Sequence, residues 1–243
     1  GNGDDPIITT QVVQAKCSVV TYGLTKKCHW RAVDIAYRDG FTRFTILRAE
    51  KEYVRLSTPL YGRHNLSNLL SAVVLADFLG VSPALISEAV KNFRGVKRRQ
   101  ELIGEKRGVL VLDDFAHHPT AVRETVSAVK DKFTDRRLIA VFEPRSNSSR
   151  RNVFQAAYAS SFNHADLIMI SEPPLKGNIP ESEKFSSQRL VEDLGKQDLN
   201  AVYFPDTSRL LEAVVREAGE GDVILFMSNG AFDNLPRRLL DRL

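Results

Sequence analysis

Cysteine is almost missing: Cys17 and Cys28 are the only two in 243 residues. That is too few for a disulfide framework and fits a reducing compartment, where such residues pack as small apolar groups. Cys28-His29 is half of a zinc-ligand pattern, but no second pair follows it, so no metal ligand is assigned. No stretch approaches the roughly twenty uninterrupted apolar residues of a membrane span, and no basic-then-apolar segment reads as a secretory leader. A cytoplasmic setting without a membrane partner is expected. A concentrated basic stripe is lacking too. Arg98-Arg99, Arg136-Arg137, Arg150-Arg151 and Arg237-Arg238 are scattered and interleaved with acids, so nucleic acid is not the expected partner.

What remains is an ordinary globular composition, 43% hydrophobic and 26% charged, with enough chain for one large domain or two smaller ones. The balance of 34 Lys and Arg against 30 Asp and Glu leaves a formal charge of +4, compatible with an anionic ligand such as a nucleotide. The chain opens at Gly1 rather than Met, and Asn2-Gly-Asp-Asp-Pro already reads like the middle of something. A fragment of a longer protein is expected.

Two regimes of periodicity follow one another. From Cys17 to Leu56, short alternating stretches at Cys17–Tyr22, Trp30–Tyr37, Thr42–Leu47 and Glu52–Leu56 predict antiparallel strands. Leu66, Leu69, Leu70, Val73, Val74 and Leu75 then recur at helical spacing up to the stop at Gly80, predicting a mostly buried helix over residues 65–79. A second helix is predicted from Ser82-Pro83 to about Asn92. Phe93-Arg-Gly-Val-Lys-Arg-Arg-Gln-Glu breaks the period and reads as a linker, with a boundary near residue 100. Beyond it, apolar strands at Val109–Asp113, Leu138–Phe142, Leu167–Ile170, Ala201–Phe204 and Val223–Met227 alternate with helical patterns at 119–132, 150–163, 186–195, 207–218 and 232–242. Buried strands separated by single helices imply βαβ crossovers. The predicted fold of this half is α/β, a Rossmann-like doubly wound, mostly parallel sheet.

Ligands of such sheets bind outside the carboxyl ends of the strands, where loops and helix N-termini converge. Three segments qualify: 113–120, 142–151 and 227–233. In the first, Asp113 and Asp114 can accept hydrogen bonds from ribose hydroxyls, and His117 and His118 can donate to anionic oxygens. Taken singly, each could instead bond loop amides or cap the helix that Pro119 opens; taken as a cluster they read as a ligand-facing turn. In the second, Glu143-Pro-Arg-Ser-Asn-Ser-Ser-Arg-Arg places Arg145 as an anion clamp, since a guanidinium matches a carboxylate bidentately. Arg150 and Arg151 read as a solvated cap. The third, Met227-Ser-Asn-Gly-Ala-Phe-Asp, lets backbone amides approach an anion closely. In the first half, Gly62-Arg-His-Asn-Leu-Ser-Asn opens a helix with His64, Asn65 and Asn68. Asn65 and Asn68 are three residues apart and so neighbours, and their amides can pair with a purine edge or serve as cap and structural amide.

Asn2-Gly-Asp-Asp-Pro, Gly62-Arg-His-Asn-Leu-Ser-Asn, Phe93-Arg-Gly-Val-Lys-Arg-Arg-Gln-Glu and Asp113-Asp-Phe-Ala-His-His-Pro-Thr follow the order and spacing of the Mur ligase family, which the chain resembles over nearly its whole length. Phe142-Glu-Pro-Arg-Ser-Asn and Phe226-Met-Ser-Asn-Gly-Ala-Phe-Asp are most similar to the branch that ligates a murein tripeptide. The resemblance implies that residues 1–100 are the end of a central ATP-binding domain and residues 101–243 the C-terminal Rossmann-like domain. It implies ATP and Mg2+ as cofactors, and as partners UDP-N-acetylmuramate and L-Ala-γ-D-Glu-meso-diaminopimelate, joined as an amide. Carried over position by position, Asn65 and Asn68 match adenine contacts with His64 beside them, Arg99 a linker arginine near the nucleotide, and Asp114 a ribose-binding acid. His117, His118, Arg145, Ser228, Asn229 and Phe232 fall on loops facing the incoming substrate or the nucleotide. No residue is assigned a catalytic or metal-binding role. The departure is an absence: the chain has no Gly-x-x-x-x-Gly-Lys-[Ser/Thr] loop to hold a triphosphate, and alone it is expected to be inactive. UDP-N-acetylmuramate:L-alanine ligase, folylpolyglutamate or cyanophycin synthesis, and a noncatalytic nucleotide- or peptide-binding module stay open as alternatives.

Overall fold

The computed structural model describes residues 1–173 and 179–243. The chain divides into two compact units, Gly1–Gly95 and Val96–Leu243.

The first unit begins with α1 (Pro6–Val12), capped by the Asp5 carboxylate, which accepts from the amides of Ile7 and Ile8. A four-stranded sheet follows in the order β1 (Tyr22–Gly23), β2 (Trp30–Arg38), β3 (Phe41–Arg48) and β4 (Lys51–Thr58). The three long strands pair antiparallel, as their alternation predicts. The expected strand at Cys17–Tyr22 does not form as such: only Tyr22 and Gly23 pair, and they run parallel to β2. The physical reason is local. Thr21 and His29 occupy each other's backbone and side-chain groups, and Tyr22 is drawn alongside the first residues by the amide bonds Tyr22 to Gly1 and Gly3 to Tyr22.

The helices α2 (Arg63–Phe78) and α3 (Pro83–Asn92) cover one face of this sheet. On α2 the buried stripe is Leu66, Leu69, Leu70 and Val73, the i, i+3, i+4, i+7 pattern. Leu75 was expected to join it but is 63% exposed, one step round the helix from that stripe. Together with Trp30, Ala32, Phe44, Ile46 and Leu56 from the sheet and Ile86 and Val90 from α3, the stripe forms the unit's core.

The second unit is built on six strands in the order β5-β6-β10-β7-β8-β9. These are β5 (Glu101–Lys106), β6 (Val109–Asp114), β7 (Arg137–Phe142), β8 (Leu167–Ser171), β9 (Ala201–Phe204) and β10 (Asp222–Met227). All neighbours are parallel except β5, which returns antiparallel on β6 through Arg107 and Gly108, both at positive φ as a tight hairpin turn demands. This mostly parallel α/β sheet is the fold the periodicity predicts, although no strand is predicted at β5, which starts where the expected linker ends.

Crossover helices α4 (Pro119–Lys132), α5 (Gln155–Ala159), α6 (Ser187–Gly195) and α7 (Thr207–Glu217), and α8 (Leu235–Arg242) after the last strand, complete the unit. Side chains alternate across the strands: Val109, Val111, Ile139, Val141, Ile224 and Phe226 pack with Leu210, Val214, Leu235 and Leu239 of α7 and α8, while α4 lies on β7 and α6 on β8 and β9. Two helices differ from expectation. The pattern at 150–163 yields only a 3-10 turn, Asn152–Phe154, and the five residues of α5. Upstream, the Ser146 hydroxyl accepts from the Ser149 amide and donates to the Ser149 hydroxyl, a side-chain-closed turn; downstream, the Ser161 hydroxyl donates back to the Ala157 carbonyl. Both compete with helix continuation. The last helix starts at Leu235, because Phe232, Asp233 and Asn234 all sit at positive φ. Among the described residues no helix is long and apolar enough to cross a membrane.

Candidate functional site

Parallel pairing brings the carboxyl ends of β6, β10 and β7 level: Met227 of β10 faces Asp114 on one side and Phe142 on the other. The Ser228 amide bonds the Asp114 carbonyl, and the Glu143 amide bonds the Met227 carbonyl, so the register continues one residue past the strands. Here the sequence switches abruptly from apolar to Asp-Asp, Glu-Pro-Arg and Ser-Asn-Gly.

At the β6 end, Asp114 is 3% exposed. One carboxylate oxygen accepts from the Gln100 amide and the other from the Ala116 amide, each at 2.7 Å. Burial pushes its carboxyl above the usual range, and these two amides with the nearby Arg99 charge oppose the shift. Two of the carboxylate's four lone-pair sites are thereby used, and the group closes its own turn. Asp113 pairs with Arg98 at 3.0 Å; burial raises it too, against the pull of Arg98. Arg98 also donates to the Ser228 carbonyl at 2.6 Å, tying the segment before β5 to the end of β10. Arg98 and Arg99 each lie 5.3 Å from the Phe115 ring centroid, a cation-π arrangement. His117 bonds the Phe115 carbonyl through Nδ1 at 2.9 Å, and its own carbonyl accepts from the buried Tyr158 hydroxyl. His118 is the N-cap of α4, its Nδ1 accepting from the Thr120 amide at 3.3 Å, while its exposed ring meets Phe154 edge-on.

At the β7 and β10 ends, Glu143 is 3% exposed. Its Oε1 accepts from the Ser228 hydroxyl at 2.7 Å and lies 3.6 Å from an Arg145 nitrogen. Burial raises this carboxyl, opposed by Ser228 and Arg145. Ser228 is itself buried, and its hydroxyl accepts from the Gly230 amide at 3.0 Å. Asn229 is half-buried. Phe232 turns inward, 2% exposed and edge-on to Phe226. It is a core side chain, not one facing the loop mouth, so the position its sequence neighbours suggested is corrected.

In the first unit, Asn65 lies in the first turn of α2, not at its N-cap. Gly62 takes the cap at φ 92, and the Asn65 amide donates to the Tyr61 carbonyl at 2.8 Å. His64 is half-buried and Asn68 exposed. The opening Asn-Gly-Asp-Asp-Pro is locked down as well: Asp4 accepts from the amides of Leu24 and Thr25 at 2.6 and 3.1 Å.

The structure thus gathers Asp114, His117 and His118 at one strand end, with Arg99 across the Phe115 ring, and Arg145, Ser228 and Asn229 at the neighbouring ends. Sequence reasoning passed over Glu143, Arg98 and Gly230. Glu143 carried a signal, as a charge immediately after five buried apolar residues. Arg98 carried none that separates it from Arg99. Among the described residues no group of three or more His, Cys, Asp or Glu is placed to hold a metal ion, and Asp113 and Asp114 are engaged with Arg98 and with backbone amides. These residues do not by themselves fit a magnesium site.

Residues 98–230 match the glutamate ligase domain of Mur ligases, and residues 1–76 the Mur ligase middle domain. The chain is 35% identical over 216 residues to UDP-N-acetylmuramate–L-alanyl-γ-D-glutamyl-meso-2,6-diaminoheptandioate ligase of Escherichia coli (strain K12), covering 88% of this chain and 45% of that protein. It is 32% identical over 234 residues to UDP-N-acetylmuramate–L-alanine ligase of Salinibacter ruber, covering 93% and 48%. Among solved structures, the murein peptide ligase of Psychrobacter arcticus 273-4 superposes with TM-score 0.65 at 29% identity over 99% of this chain and 50% of that one. The UDP-N-acetylmuramate–alanine ligase of Thermotoga maritima gives 0.76 at 23% identity over 92% and 47%, a likeness of fold. The chain spans about half the length of the curated relatives it matches.

Proposed function

Because the chain belongs to the Mur ligase family, we propose that it is the C-terminal part of an ATP-dependent ligase that joins L-Ala-γ-D-Glu-meso-diaminopimelate to UDP-N-acetylmuramate in the cytoplasm. Residues 1–100 are then the end of the central ATP-binding domain, and residues 101–243 the domain that brings the amine. The observation that carries this reading is the paired loop at the β7 and β10 ends, where Arg145 crosses Gly230 and pairs with Glu143 beside Ser228. A guanidinium so placed suits a carboxylate-rich peptide. The 35% identity to the tripeptide ligase of Escherichia coli supports the same choice.

The chemistry is activation of the muramyl carboxylate by ATP to an acyl phosphate, then attack by the peptide's free amine. Positioning and charge stabilisation supply most of the rate. In this division of labour, Asn65 and Asn68, with His64 beside them, are assigned to the adenine, Asp114 to the ribose, and Arg99 to the nucleotide as the linker arginine. His117, His118, Arg145 and Asn229 receive the incoming peptide, Ser228 supports them from beneath through Glu143, and Phe232 anchors the last loop from within the core. The triphosphate and magnesium belong to residues outside this chain, which alone forms no amide.

A second reading, ligation of L-alanine, is favoured by relatives of that activity at 29–32% identity over 90–96% of the chain. The test is an amide-ligation assay of the longer parent protein with L-Ala, L-Ala-γ-D-Glu and the tripeptide competing. Preference for the tripeptide is expected. Preference for L-Ala replaces the first reading by the second, and no ligation of any amine removes both.

A further inference from the structure

Glu143 is a carboxylate 3% exposed to water, set directly after the buried residues Leu138 to Phe142. A charge in that position persists only with partners. They are the Ser228 hydroxyl, donating to Oε1 at 2.7 Å, and the Arg145 guanidinium, 3.6 Å from the same oxygen. Ser228 in turn accepts from the Gly230 amide. Gly230 is where the arginine passes: a Cβ built there would stand 2.1 Å from Arg145 Cδ and 2.4 Å from its Nε. Glu143, Ser228, Gly230 and Arg145 therefore close a ring. Arg145 is drawn from one side by charge and admitted on the other by a missing side chain. Its side chain is still 27% exposed, and a guanidinium offers more donors than one carboxylate oxygen takes.

We propose that Glu143 is a positioning residue for the amine substrate, holding Arg145 over Gly230 with the outer edge of its guanidinium turned to a carboxylate of the incoming amino acid or peptide. This rests on the ligase reading above. A purely structural Glu143, serving only to tie β7 to β10 through Ser228, would affect stability and not the affinity for one substrate.

Two substitutions reach Arg145 by different routes. Glu143→Gln keeps size and an acceptor for Ser228 but removes the charge. Gly230→Ala leaves Glu143 intact and obstructs the arginine stem; Gly230 is not among the glycines at positive φ, so alanine brings no backbone strain there. In ligation assays of the longer parent protein, each is expected to raise KM for the amine roughly tenfold, with kcat within about twofold and KM for ATP unchanged. Arg145→Ala is expected to raise the same KM at least as far, and adding Glu143→Gln or Gly230→Ala to it changes nothing more, because the group they aim is gone. A folding defect peculiar to a buried glutamine leaves Gly230→Ala to decide the matter. The proposal is overturned if Gly230→Ala ligates with an unchanged amine KM, or if its effect multiplies on the Arg145→Ala background. An unsubstituted protein that ligates no amine overturns it together with the ligase reading, whereas normal ligation with insensitive variants overturns it alone.

Discussion

Asp114 and Glu143 are both buried acids at the carboxyl ends of parallel strands, one on each side of β10, and they spend their charge differently. Asp114 gives both oxygens to backbone amides, Gln100 and Ala116, and so shapes the turn from within. Glu143 gives its oxygen to side chains, buried Ser228 and partly exposed Arg145, and so braces the one of the two that is open to water. Burial raises both carboxyls, so desolvation alone does not tell them apart. The partners do: an acid satisfied by amides is scaffolding first, and one that holds a partly exposed guanidinium is, on the proposal above, part of a receptor.

The sharpest way to break that contrast is Asp114→Ala, which strands two buried amides and is expected to cost about 2–4 kcal/mol, read from urea unfolding followed by circular dichroism. A loss smaller than that of Glu143→Ala would invert the assignment. His118→Ala removes the cap of α4 and should cost about 0.5–1 kcal/mol in the same assay; no loss would mean that Phe154 and Pro119 suffice to start the helix. Glu143→Gln, which keeps an acceptor for Ser228, should change stability by less than about 0.5 kcal/mol, leaving its effect to substrate affinity.

The pH dependence is the smallest effect. Folding raises the carboxyls of Asp114 and Glu143 above their ordinary values of 3.8 and 4.5. The folded state therefore holds protons that the unfolded chain has released, and their contribution is fullest below those values and lost as pH rises through the folded ones. Asp166 and Asp193 are shifted downward, so what they add is present above 3.8 and lost on acidification. Asp113 and Glu172 are raised like Asp114 and Glu143, so the two sets of carboxyls act in opposite directions on acidification. Asp114→Asn and Glu143→Gln should each flatten the decline on the way up from pH 4; an unaltered stability profile in both would show that these groups titrate alike folded and unfolded.

Much of the architecture was legible because β6, β7, β8 and β10 are buried on both faces and read as unbroken apolar runs, and because Pro83 and Pro119 mark helix starts. The edge strand β5 was not. Glu101-Leu-Ile-Gly-Glu-Lys has a glycine at its centre and weak alternation, and it is a strand only because β6 lies beside it. The truncation of the 150–163 pattern was hidden for a related reason: apolar spacing does not register hydroxyls that bond their own backbone. At the site, location was legible from the change of composition at strand ends. Direction was not, as Phe232 shows by facing the core from within a polar loop. Nor does spacing reveal that Gly230, 85 residues after Arg145, lies under its stem.

The position of β10 also bears on how the second unit can be made. It lies between β6 and β7, which do not touch each other, yet among the sheet's strands it is the last synthesised. Until Met227 has emerged, the strands already made can form only a hairpin on one side and a parallel trio on the other, with an open gap where the centre belongs. Joining them late closes long loops, which slows folding and leaves apolar edges exposed meanwhile. A chain shortened by its last twenty-odd residues would therefore lose its keystone, not its fringe.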